Sequence, residues 1–87
     1  MIRAALLAAA LGCAAAAPIS PPGAASCTGC HVRGGGIGLL QGRSAEDTVA
    51  TMEAFRSGAR PATLMNRIVR GFSADEVRTL AAWFAQP

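Results

Sequence analysis

The chain has 87 residues, 52% of them hydrophobic and 15% charged, which leaves room for one domain at most. Its formal net charge of +3 comes from eight arginines, with no lysine, against five acids. That balance is weak, and no basic face with interleaved aromatics appears, so nucleic-acid binding is excluded.

The chain opens with a targeting pattern. Arg3 supplies a charge, and residues 4–17 read AALLAAALGCAAAA, fourteen apolar residues of which nine are alanine. The run falls short of the roughly 20 residues of a spanning helix. With the helix-breaking PISPPG that follows, it reads as a secretory signal. A second route is lipidation of Cys13 in the imperfect lipoprotein pattern ALGC. Residues 1–25 are therefore expected to be a signal peptide, or lipoprotein signal, with a Pro/Gly-rich linker, and residues 26–87 the folded domain. The expected location is the periplasm, with membrane attachment only if Cys13 is lipidated or the signal stays uncleaved. A domain this small is marginal on its own and needs a disulfide, a metal or a cofactor to help hold it.

The next segment reads SCTGCHVRGGG and contains Cys27, Cys30 and the sole histidine, His31. Residues 32–42 carry five glycines in eleven positions and read as a loop that lets the backbone pass close to something. A helix is expected from Ser44, an N-cap with Asp47 three residues on, to a stop at Gly58 and Pro61. Val49, Met52 and Phe55 mark its apolar stripe. ATLMNRIVRG then suits a short helix or a turn of one, ending at Gly71. The last helix opens with a full capping box, Ser73 and Glu76. It carries Val77, Leu80, Ala81 and Phe84 at i, i+3, i+4 and i+7. No stretch alternates with period two, so the domain reads as all-α, with three to four short helices.

CxxCH is the signature of covalent c-type haem attachment. Two thiols one helical turn apart can each add to a haem vinyl group, and the adjacent imidazole then falls under the ring. Rival readings fit less well. A zinc site needs four ligands, and Cys27, Cys30 and His31 are the only Cys or His residues left once the signal is removed. A thioredoxin-like pair would sit beside a βαβ pattern. A Cys27–Cys30 disulfide would close too short a loop to stabilise much. One haem c bound through Cys27 and Cys30 is the expected cofactor, with His31 as an iron ligand, and it would give the small chain an apolar body to fold around. A low-spin electron carrier needs a sixth ligand; with no second histidine a thioether is the usual alternative, and an empty sixth site would instead make a gas-binding or high-spin protein. Met52 and Met65 are both available. Met65 is favoured because it follows a loop, whereas Met52 lies on an apolar helix stripe.

Taken together, CTGCH near the start, the glycine-rich loop and AFRSGARPATLMNRIVRGFSADEVRTLAAWFAQ resemble class I c-type cytochromes. Among them the likeness is to the monohaem cytochrome subunit of flavocytochrome c sulfide dehydrogenase, over about 60 residues from Ser26 to Gln86. The resemblance implies a small cytochrome c fold wrapped around one haem held by Cys27 and Cys30, with His31 proximal and Met65 distal. It also implies a one-electron carrier rather than an enzyme, with an FAD flavoprotein that oxidises sulfide as donor and other electron carriers as acceptors. A free periplasmic cytochrome c serving a respiratory oxidase, or a high-spin haem sensor, is the alternative. This chain departs from the pattern at Val32, where a glycine is usual, and in having no proline between His31 and Pro61. A carbonyl near Gly36 or Ile37 is then expected to accept the hydrogen bond of the proximal histidine. The first helix is expected to be brief, with reduced packing against the last. Arg67 and Arg70 are expected at a docking rim, on the propionates, or simply solvated. Trp83 and Phe84 are expected in the core or in the wall against the haem.

Overall fold

A computed structural model describes residues 19–86. The expected signal segment, with Cys13, lies outside the described residues. The rest is all-α, as expected for a small class I cytochrome c fold. In chain order there are α1 (Ala24–Thr28), α2 (Ala45–Ser57), α3 (Met65–Ile68), a 3-10 turn (Val69–Gly71) and α4 (Ala74–Phe84).

Local chemistry sets the helix ends. The Ser44 hydroxyl accepts from the Asp47 N–H at 3.1 Å and starts α2. Gly58 closes it. The expected capping box of α4 is formed in both directions, with Ser73 N–H donating to Glu76 Oε1 at 2.9 Å and Glu76 N–H donating to the Ser73 hydroxyl at 3.1 Å. The Ser73 N–H on the carboxylate, and to a lesser extent the Ser73 hydroxyl, hold the Glu76 pKa below its ordinary value.

The core follows the α4 stripe, with Val77, Leu80, Ala81 and Phe84 all buried. Ala24 of α1 joins Leu80 and Phe84 in one cluster, with Cys27, Leu40, Phe72 and Trp83 packed around it. From α1, only Ala24 is fully buried in this cluster and Cys27 packs beside it, in keeping with the brevity of α1. Trp83 meets Phe84 edge to face, with ring centroids 4.8 Å apart. Two hydrogen bonds tie the other segments to this core. Arg56 Nη2 on α2 donates to the Phe72 carbonyl at 3.0 Å, and Gly42 N–H, at the end of the glycine-rich loop, donates to the Phe84 carbonyl at 3.0 Å.

Gly23 fixes how α1 enters the core. Its φ is +88°, and a Cβ there would run into the Phe72 ring. Gly23→Ala should therefore lower stability by more than the roughly 1–2 kcal/mol of a left-handed L-residue. At about 4–8 °C per kcal/mol for a domain of this size, a thermal melt reads this directly. An unchanged melting temperature would refute the packing of α1 described here.

Candidate functional site

Backbone hydrogen bonding carries the helical turn beyond the end of α1. The Cys27 carbonyl accepts from Cys30 N–H at 3.2 Å and from His31 N–H at 2.9 Å. Residues 27, 30 and 31 are thus i, i+3 and i+4 on one turn, the spacing that places side chains on one helix face. Cys27 is half-buried and Cys30 exposed, and both are free thiols. Burial pushes the Cys27 thiol pKa up, so it stays protonated at neutral pH.

His31 is oriented by the glycine-rich loop. Its Nδ1 lies 3.0 Å from the Gly38 carbonyl oxygen. A carbonyl can only accept, so Nδ1 carries the proton and the Nε2 lone pair is left free. The acceptor lies one residue beyond Ile37 and two beyond Gly36, in a loop where Gly34, Gly36 and Gly38 all have positive φ.

All three side chains line one cavity of about 490 Å³, within the roughly 300–1,000 Å³ of small-molecule sites. The loop supplies Ile37 and Leu40, and α2 supplies Thr48, Met52 and Phe55. Residues 60–65 form a further wall that includes Met65, and α4 closes the cavity with Val77, Leu80 and Phe84. Both candidate methionines therefore reach the same space. Phe84 serves as core and as cavity wall, whereas Trp83 lies at the margin of the core and does not line the cavity.

The α2 stripe differs from the expected one by one position. The cavity takes Thr48, Met52 and Phe55 at i, i+4 and i+7, and Val49 is not among its lining residues. No residue of α2 is fully buried, and three of its side chains line the cavity.

The lining is apolar apart from a few groups. Thr48 Oγ1 is buried with no hydrogen-bond partner. An unmatched buried hydroxyl costs roughly 1–3 kcal/mol, so a polar atom of a bound group belongs beside it. Asn66 Oδ1, next to Met65 but outside the lining, is likewise buried and unpartnered. Arg60 is the one charged side chain in the lining besides the titratable Cys27, Cys30 and His31. Arg67 and Arg70 are exposed and line no part of it.

This donor set suits a haem. Two thiols and an imidazole share one helical turn, the imidazole has a free nitrogen, thioethers reach the same cavity, and the remaining walls are apolar. Gly38, Thr48 and Arg60 were not singled out by sequence reasoning. Thr48 had a usable signal in its i, i+4, i+7 relation to Met52 and Phe55.

No protein-family model matches the chain. Among curated proteins, the cytochrome subunit of sulfide dehydrogenase from Chlorobaculum tepidum is 32% identical over 63 residues, a match covering 68% of this chain and 57% of that protein. The chain thus spans little more than half the length of that relative. The likeness supports a cytochrome-like relationship.

Proposed function

We propose that this chain is an exported monohaem c-type cytochrome that carries single electrons and takes them from a flavoprotein sulfide dehydrogenase. The observation that supports this most is that Cys27, Cys30, His31 and Met65 line one apolar cavity. Cys27 and Cys30 would hold the haem by thioether links, His31 would bind its iron through Nε2, and Met65 would bind from the distal side. The haem, when bound, supplies the one-electron couple of its iron.

The protein's own part is to orient and to exclude water. Gly38 fixes the imidazole tautomer so that Nε2 presents its lone pair without rearrangement. The apolar residues of α2 and α4 keep water from the site, and axial ligand and burial tune the potential. The sulfide dehydrogenase partner rests on the name of the relative, and the sulfur chemistry belongs to that partner.

The test is a visible spectrum of protein exported with haem-attachment machinery, recorded before and after denaturing extraction. Haem should stay with the polypeptide, and Cys27→Ser with Cys30→Ser should release all of it. A stable co-purifying FAD protein supports the proposed donor, and its absence favours a free carrier. Haem lost on extraction from the unaltered protein would overturn the c-type reading.

A further inference from the structure

The cavity contains one permanent charge, and neither the CxxCH motif nor the methionines account for it. Arg60 stands in the segment between α2 and α3, its N–H donating to the Ala54 carbonyl at 3.0 Å. Its guanidinium carbon lies 5.0 Å from the centre of the Phe55 ring. Phe55 itself lines the cavity, so the cation is held against the cavity wall. The same arginine also lines a more open pocket with Arg43 and Asp47, and so stands between the apolar interior and solvent. The ion pairs among the described residues are Glu53–Arg56 and Asp75–Arg78, so Arg60 has no carboxylate partner among them. No Asp or Glu lines the cavity.

A permanently charged guanidinium on the rim of an apolar cavity without acids is a receptor for a carboxylate brought in by the ligand. Resting on the haem reading above, we propose that Arg60 is the carboxylate-binding residue of the cavity and pairs with a propionate of the haem. Other charged or titratable groups facing Arg60 are Arg43 and Asp47 on the outer side and Cys27, Cys30 and His31 among the lining residues. None of the latter three is a carboxylate. Thr48 Oγ1, buried in the same cavity without a partner, is a second polar group available to the ligand.

Pairing with Arg60 keeps the propionate ionised. Without the arginine, its pKa rises through loss of the cation and through burial. Two effects on the midpoint potential follow. Removing a positive charge near the iron favours the ferric state, so the potential falls. Protonating the propionate then removes a negative charge, so the potential rises again as pH drops.

The experiment is a redox titration of the haem-loaded full-length protein between about pH 8 and about pH 5, where a propionate with a raised pKa would titrate. The variants are Arg60→Gln and Arg60→Lys, with Arg67→Gln, which lies outside the cavity lining, as a control. Arg60→Gln should lie below the unaltered protein at the alkaline end and approach it as pH falls. Arg60→Lys should lie between them, and Arg67→Gln, a charge loss outside the cavity lining, should give at most an offset that does not change with pH. If Arg60→Gln yields no haem protein, the lysine variant carries the test, since losing the planar fork should still shift its curve. Haem-loaded variants whose potentials follow the unaltered protein at every pH would overturn the assignment of Arg60 alone. Absence of covalent haem from the unaltered protein would overturn the cytochrome reading, and this assignment with it.

Discussion

Phe84→Ala should lower stability by about 3–5 kcal/mol, the usual loss for a buried aromatic cut back to a methyl group. Phe84 is 2% exposed and serves two packing roles. On one side it meets Ala24 and Leu80, which join first helix to last. On another it closes the cavity that Cys27, His31 and Met65 share. Domains are stable by only about 5–15 kcal/mol, and one this small sits near the lower end. The substitution should therefore unfold a large fraction of the haem-free chain at room temperature. In the haem protein it should move the denaturant midpoint without changing the nature of the transition. Equilibrium denaturation followed by Trp83 fluorescence measures both. A loss below about 1 kcal/mol, the level of ordinary substitutions, would mean that Phe84 is not the shared support described here.

Met65→Ala and Met52→Ala should separate completely in the spectrum of the oxidised haem protein. Both thioethers line the cavity, so placement in the cavity alone does not choose between them. What favours Met65 is its support. It is the first residue of the short helix α3 and follows the cavity-lining segment 60–64. Met52 belongs instead to the middle of a thirteen-residue helix, where Thr48 and Phe55 share its face. Met65→Ala should abolish the weak far-red band of ferric iron bound to methionine sulfur, open the reduced protein to carbon monoxide and lower the potential. Met52→Ala should retain the band and lose stability only through packing. The reverse pattern would transfer the distal ligand to Met52. A band untouched by either change would exclude both.

What could be read from the sequence was whatever neighbouring residues decide among themselves. Ser73 and Glu76 cap each other, and Val77, Leu80, Ala81 and Phe84 repeat with the helix, so α4 was legible from end to end. The Ser44 cap and the Gly58 stop of α2 were equally local. The inner face of α2 was not, because Val49 and Thr48 differ by one position and only the location of the cavity decides between them. The CxxCH spacing put Cys27, Cys30 and His31 on one turn before any tertiary structure was known. The partner of the imidazole depended on how the loop turns at Gly38, which no spacing rule fixes. Arg60 was overlooked for a similar reason. Its distinction lies in resting on Phe55 at the cavity wall, a tertiary contact, whereas Arg67 and Arg70 drew attention by their nearness to Met65 in the chain.

The hydrogen bond from Gly42 N–H to the Phe84 carbonyl bears on how the molecule breathes. The loop that positions His31 is anchored at its start by the turn of Cys27 and at its end by the last residue of α4. It cannot swing away as a free flap. To uncover the imidazole from this side, the last turn of α4 must let go as well, so loop and helix end open as one cooperative unit. How often solvent reaches the imidazole from this side is thus paced by opening of the last turn of α4.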